Sequence, residues 1–435
     1  MNQLDDRPGF AAKAWVSFAT SALFMALYHA SNAYAAQCDR LHQWYADWEL
    51  AIPVIPWFIV PYWSIDIFFA IAPFLCTRRS ELRTLAGRLT LAILLATTCF
   101  VVWPMQLLHE RTDEHGVFTP LFIAIHVFDK PHNLFPSMHV AFAFILRWTY
   151  HRHVRGLPRL LFHFWFLCVS FSTILVHQHH LVDIAGGVIL AILCCYLISE
   201  NAVPIARMQV DRRAVNLAAR HLAGSAACLA VAWWLGGWWW LLAWPTLALA
   251  IAGSAYLGLG AAVFAKRSDG LPWAARVVLA PWRLPLEWSR RWWWRRDSAG
   301  AAEVADGVWI GRLPDAALIA AHGFRGILDL TAEHVGPAAT PGLTVERLPM
   351  LDLATPASTS LADAVAAIER LRQQGPVLVH CALGYGRSAQ VAAAWLLATG
   401  RATTPAAAAA HLAAIRPGAQ VATDLLAATS RPPAP

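Results

Sequence analysis

Apolar runs of about 20 residues, separated by loops rich in arginine, govern what this chain can fold into. They lie near 14–35, 54–76, 89–107, 160–178, 181–199, 222–241 and 243–264, and a shorter run, 135–150, follows Pro136. Hydrocarbon offers the backbone no hydrogen-bond partner, so such runs must be helices that satisfy their own amides. The expected N-terminal architecture is an all-α polytopic membrane helix bundle of about eight spans. Composition agrees: only 14% of the 435 residues are charged, against about 25% in soluble domains. No small-residue cleavage site follows the first run before further spans begin, so it reads as an anchor. Six of the eight cysteines (Cys76, Cys99, Cys168, Cys194, Cys195 and Cys228) fall in or beside these runs and read as small hydrophobes. Neither a disulfide framework nor a metal site is expected, and no cofactor.

Loop charges set an expected orientation. Arg78, Arg79, Arg83 and Arg88 fill the second loop; Arg147, Arg152, Arg155 and Arg159 the fourth; Arg207, Arg212, Arg213 and Arg220 the sixth; Lys266 and Arg267 follow the last span. The odd loops hold Arg40, Arg111 and Lys130. By the positive-inside rule, the even loops and both termini face the cytoplasm of a bacterial-type inner membrane. The expected divisions are a six-span membrane domain over 1–200, two further spans over 201–264 that read as scaffold, a linker over 265–300 and a cytoplasmic domain over 301–435. In the linker, Trp282, Trp288, Trp292, Trp293 and Trp294 interleave with Arg283, Arg290, Arg291, Arg295 and Arg296. That mixture suits the headgroup level of a bilayer, so the net charge of +7 points to anionic lipid head groups rather than nucleic acid.

From 301 onward strands alternate with helices: strands 326–330, 343–348 and 376–380, helices 359–373, 388–399 and 404–415. This is the pattern of an α/β domain. Thr404 and Pro405 form a helix start signal. The strand at 376–380 runs into His380-Cys381-Ala382-Leu383-Gly384-Tyr385-Gly386-Arg387-Ser388. A cysteine six residues before an arginine, on a glycine-bearing loop that opens a helix, suits phosphocysteine chemistry. The amides of Ala382, Leu383, Gly384, Tyr385 and Gly386 and the helix N-terminus cradle phosphoryl oxygens and favour a thiolate. Arg387 clamps two oxygens, and Ser388 donates to the leaving thiolate. The motif resembles the signature loop of dual-specificity phosphatases, over about 301–420. That resemblance implies a general acid about thirty residues upstream, where Asp352 stands; Asp329, at a strand end, is the rival and looks structural. The loop's variable positions, Ala382, Leu383 and Tyr385, lack the basic residues of phosphoinositide-selective relatives.

A second constellation lies within the spans: Pro136-Ser137-Met138-His139, then Ser172, then His177-Gln178-His179-His180-Leu181-Val182-Asp183. His179 and Asp183 stand four apart, so on a helix the carboxylate orients the imidazole as a nucleophile or base. A second histidine can protonate a leaving group. These residues resemble motifs of the type 2 phosphatidic acid phosphatase superfamily, over about 90–200. The resemblance implies that His179 forms a phosphohistidine, Asp183 orients it and His139 is the general acid; Ser137 is expected at the phosphate site, and Lys130, Arg111 and His180 are the residues that could supply positive charge there. Thr173 stands where the motif carries an arginine, and the Lys-x6-Arg-Pro motif is missing. The pattern looks closer to the inositol phosphorylceramide synthase branch.

The expected function is a bifunctional membrane enzyme of lipid phosphate metabolism, with a periplasm-facing phosphohistidine site and a cytoplasmic phosphocysteine site. Its partners would be membrane phospholipids or lipid phosphates. Two alternatives stand beside it: a phospholipid head-group phosphotransferase, and a phosphoprotein or lipid sensor that uses the phosphatase module for regulation.

Overall fold

The computed structural model describes residues 7–429 except Glu110, Asn201 and Ser298. The chain divides into two compact units, Met1–Glu200 and Asn201–Pro435.

The first unit is helical: α1 (Phe10–Ala35), α2 (Ile59–Leu75), α3 (Arg79–Val102), the short α4 (Thr119–Phe128), α5 (Met138–His153), α6 (Gly156–Leu175) and α7 (Leu181–Leu197). α5 is central and packs on α2, α3, α6 and α7. The two ends of this bundle differ chemically. At one end, where α2 meets α3 and α5 meets α6, His153 pairs with Glu81 at 2.6 Å, Arg152 pairs with Glu200, and Arg88 Nε donates to the Ile198 carbonyl at 3.0 Å. At the other end the N-termini of α5 and α7 meet. Gly187 permits that approach: a Cβ there would stand 2.5 Å from the Ser137 carbonyl oxygen.

Among the described residues, six helices are long and apolar enough to cross a membrane: 10–35, 56–75, 79–102, 156–175, 212–235 and 237–264. The other two expected spans are helices of 16 and 17 residues, α5 and α7. At 1.5 Å per residue they measure about 24–26 Å, short of a ~30 Å hydrocarbon core. Both begin at residues of the histidine constellation. The α4 helix was not expected; it lies in the loop before that constellation.

In the second unit a two-residue strand β1 (Met208–Gln209) precedes a helical hairpin of α8 (Arg212–Leu235) and α9 (Ala243–Ser254). The hairpin's return arm continues through a π turn at Ala255–Leu259, with Gly258 at φ +120°, and a 3-10 turn at Gly260–Phe264. Then come α10 (Trp273–Val278), α11 (Ala280–Trp294), β2 (Ala301–Ala305), β3 (Val308–Gly311), α12 (Ala316–His322), β4 (Gly326–Thr331), β5 (Thr344–Met350), β6 (Thr355–Pro356), α13 (Ser358–Arg372), β7 (Val377–His380), α14 (Arg387–Ala398), α15 (Pro405–Ile415) and α16 (Thr423–Thr429).

Five strands form one sheet in the order β2-β3-β7-β4-β5, parallel except for β2–β3. Alternate residues face opposite layers. Leu328, Leu330, Val377 and Val379 join Leu361, Ile368, Leu371, Val391 and Trp395 from α13 and α14 in one core. Ile327 and Leu378 face the other layer, with Leu318 and Phe324. The segment expected to be a linker is a structured part of this unit. Arg283 Nε donates to the Glu333 carbonyl at 2.7 Å, and Glu287 pairs with His334 at 3.2 Å. Trp288, Trp292 and Trp293 on α11 remain 73%, 43% and 49% exposed. Just after the 3-10 turn that ends at Phe264, Lys266 is buried against Asp329 at 2.7 Å.

Candidate functional site

Parallel strands deliver their functional groups at their carboxyl ends. Here the end of β7 carries Cys381, the end of β4 leads to Glu333, and the end of β5 leads to Asp352. All three converge on Arg387, the first residue of α14.

The 381–386 loop is held by its carbonyls. Arg416 donates from Nη2 to the Leu383 carbonyl at 2.9 Å and from Nε to that of Gly384 at 3.1 Å. The Gln420 amide donates to Tyr385 at 2.7 Å, and the Leu313 amide to Ala382 at 3.3 Å. With those carbonyls engaged outside the loop, its amides are left to line the cradle, and the Gly384 amide donates to Cys381 Sγ at 3.2 Å. Gly384 has φ +83°, and a Cβ there would stand 2.5 Å from the Gly311 carbonyl carbon, so only glycine fits. Ser388 Oγ lies 3.4 Å from Sγ. Burial pushes the Cys381 thiol up, but the Arg387 charge and the Ser388 hydroxyl and amide outweigh it and hold the thiol below its ordinary value. It is therefore biased toward thiolate, the nucleophilic form.

Arg387 is oriented by a residue the sequence reading missed. Its Nη1 and Nη2 donate to the two Glu333 oxygens at 3.0 and 2.7 Å, and Nη1 also donates to the Met350 carbonyl at 2.9 Å. Burial would raise the Glu333 carboxyl, but the Arg387 charge holds it well below the usual carboxylate range. Asp352 pairs with Arg387 Nε at 3.2 Å, and its side chain is 54% exposed at the cleft. Asp329 is fully buried away from the cleft, bonded to Lys266 and Thr331 and 3.6 Å from His380. Burial lowers His380 to about 4, so it is neutral at pH 7, with Nδ1 3.2 Å from the Cys381 carbonyl.

The cleft beside Arg387 holds about 560 Å³ and is lined by Asp352, Gly386 and Arg387, and also by Arg207, Met208 and Arg213. Residues 206–213 belong to the stretch expected to be plain scaffold. No local pattern marked them, because they reach the cleft by tertiary pairing.

In the first unit the histidine constellation also assembles. Asp183 Oδ2 lies 3.3 Å from His179 Nδ1 and accepts from the His180 amide at 2.8 Å. The rings of His139 and His179 have centroids 6.3 Å apart. Ser137 caps α5, its Oγ accepting from the Val140 amide at 3.5 Å, and its own amide donates to the Asp183 carbonyl at 3.0 Å. Both hydroxyls of the 172–173 pair turn back to backbone: Ser172 donates to the Val169 carbonyl at 2.7 Å and Thr173 to that of Ser170 at 2.8 Å. The Thr173 carbonyl accepts from the Gln178 and His179 amides at 2.9 and 3.0 Å, which forms the turn that places His179. Arg111 reaches this end of the unit, donating to Gln178 Oε1 at 2.9 Å and to the Asp129 carbonyl at 2.5 Å. Tyr62 was not anticipated: it stacks on His139 at 4.1 Å and donates to Asp129 at 3.1 Å. No contact ties the Lys130 side chain to these groups among the described residues.

Comparison with known proteins agrees with both halves. Residues 25–197 match the family model described as the PAP2 superfamily. Residues 312–401 match the one described as a DSP-PTPase phosphatase of polymorphic toxin systems. Similar solved structures include PTPMT1, 22% identical over 30% of this chain and 92% of that one, with a TM-score of 0.27. A mouse putative dual specificity phosphatase complexed with zinc tungstate is 28% identical over 30% and 84%, with a TM-score of 0.27. Human DUSP28 is 24% identical over 30% and 92%, with a TM-score of 0.26. Among curated proteins none matches the chain.

Proposed function

We propose that this chain, a phosphatase in which a PAP2 superfamily domain is fused to a dual-specificity-type phosphatase domain, is a bifunctional enzyme of lipid phosphate metabolism with one phosphoryl site in each unit. The convergence of Cys381, Arg387, Glu333 and Asp352 carries the reading. In the cysteine site, Sγ attacks phosphorus while the ester oxygen leaves and takes a proton from Asp352. Arg387 holds two phosphoryl oxygens and the loop amides share the developing charge. Water, deprotonated by Asp352, then breaks the S–P bond, and Ser388 donates to the departing thiolate. In the histidine site His179 would attack, held in its tautomer by Asp183, and His139 would protonate the leaving oxygen.

The loop arginines support termini and a cysteine site on the cytoplasmic side of a bacterial-type inner membrane, with the histidine site on the outer side. The exposed tryptophans and arginines of α11 support contact with anionic head groups. A second reading of the histidine site is phosphotransfer between lipids. It is favoured by Thr173, whose side chain is neutral and turned to backbone where the superfamily motif carries a cation.

The test uses the full chain. Cys381→Ser abolishes turnover of an aryl phosphate and leaves the activity dependent on His179. His179→Ala does the reverse. Loss of both activities in either variant overturns the two-site reading. Labelled phospholipid supplied with and without an alcohol acceptor separates hydrolysis from transfer.

A further inference from the structure

The 382–386 loop contributes no cation, yet the cleft it opens into has two besides Arg387. Arg207 and Arg213 line it, and both are exposed. Neither guanidinium hydrogen-bonds or ion-pairs with a protein group among the described residues. Their placement is built rather than incidental. β1 pairs antiparallel with β6, Met208 opposite Pro356 and Gln209 opposite Thr355. The Arg207 amide donates to Ser360 Oγ at 2.7 Å, and its carbonyl accepts from the Ala357 amide at 2.9 Å. The Ala206 amide donates to the Pro349 carbonyl at 3.1 Å. Asp211 caps α8 by accepting from the Ala214 amide at 2.7 Å, and its other oxygen accepts from Thr355 Oγ1 at 2.6 Å. Arg213 therefore sits in the first turn of a helix whose cap is tied to the strand just after the Asp352 loop. From the hairpin's return arm, Tyr256 donates to the Asp352 carbonyl at 3.1 Å.

We propose that Arg207 and Arg213 are specificity-determining residues of the cysteine site, and that they select a phosphomonoester carrying a second anionic group, the phosphodiester of a membrane lipid. The phosphomonoester sits on the 381–387 loop. The second group meets the two arginines at the wall where the apolar hairpin begins, which leaves acyl chains beside α8 and α9. Two bidentate guanidinium contacts to a second anionic group should raise affinity roughly tenfold. The missing loop cations are thus supplied from a segment outside the matched phosphatase region.

The inference rests on the cysteine site being a phosphatase, and the experiment separates the two. Full-length protein in detergent hydrolyses para-nitrophenyl phosphate, which has one anionic group, while three competitors are titrated: inositol 4-phosphate, inositol 1,4-bisphosphate and dioctanoyl phosphatidylinositol 4-phosphate. The bisphosphate inhibits at least tenfold more tightly than the monophosphate, and the lipid more tightly still. Arg207→Ala with Arg213→Ala removes the preference for the second anionic group in a protein that still turns over para-nitrophenyl phosphate. Equal inhibition by mono- and bisphosphate in the unsubstituted protein, or a preference that survives both substitutions, overturns the inference. If the lipid binds no more tightly than the free bisphosphate, the membrane-lipid assignment falls. Absence of para-nitrophenyl phosphate turnover in the unsubstituted protein refutes the phosphatase reading itself.

Discussion

Lys266→Met should unlock the phosphatase domain from its neighbouring helices. Lys266 is 1% exposed and Asp329 0%. Its Nζ donates to Asp329 Oδ2 at 2.7 Å, to Thr331 Oγ1 at 2.9 Å and to the Thr331 carbonyl. Burial opposes charge on Asp329, but Lys266 outweighs it and keeps the carboxyl below its ordinary value. Removing the lysine leaves a buried carboxylate whose remaining cation, Arg347 Nε, is 3.8 Å away. An uncompensated buried charge costs about 3–5 kcal/mol, a large share of a typical 5–15 kcal/mol stability. With a urea slope of about 2 kcal/mol/M, the midpoint for loss of aryl phosphate turnover falls by roughly 2 M. Asp329→Asn in the Lys266→Met background removes the orphaned charge and keeps an acceptor for the Thr331 amide and hydroxyl, 2.9 and 2.6 Å from Oδ1. The double variant should recover more than half of the lost midpoint. A shift under about 0.5 M for the single variant, or strictly additive losses in the double, would refute the argument that this pair is electrostatically closed.

His380 sets an acid limit on stability. Its folded value of about 4 lies below an unfolded value near 6.5, so the unfolded chain binds the proton first as pH falls. Stability is full above about pH 6.5 and declines by about 3 kcal/mol as pH falls to 4; urea midpoints for His380→Asn should lack that slope. Arg416→Ala frees the Leu383 and Gly384 carbonyls and leaves Asp297 without its partner, so aryl phosphate kcat should fall about tenfold or more and the urea midpoint should fall with it. Gly187→Ala places a methyl against the Ser137 carbonyl, parts α5 from α7, and should abolish the histidine-site activity while Cys381 turnover persists in the same preparation.

The α/β half was legible because its signals are local. The strands expected at 326–330 and 343–348 and the helix at 359–373 occur within two residues, since hydrophobic alternation and helix periodicity act at short range. Cys381, Arg387 and Ser388 were legible for the same reason: one loop carries all three. Glu333 was not, because its partner is 54 residues away and an acid in a loop reads as solvated. Lys266, Arg416 and the 206–213 wall escaped similarly. The 265–300 stretch read as an interfacial leash from its composition, but composition does not register Arg283 and Glu287 bonding the 333–334 loop.

The described parts of 202–210 and 266–429 belong to the unit that holds the Cys381 cleft, and the hairpin of 212–264 lies between them in the chain. The cleft wall and the Asp352 carbonyl are therefore fastened to opposite arms of an apolar hairpin, at Asp211 and Tyr256. Helices tilt when hydrocarbon thickness changes. A tilt of these two arms would be felt as strain at the pairing of Met208 with Pro356 and at the acid loop. Through these two ties the geometry of the Cys381 cleft follows the tilt of the hairpin's arms.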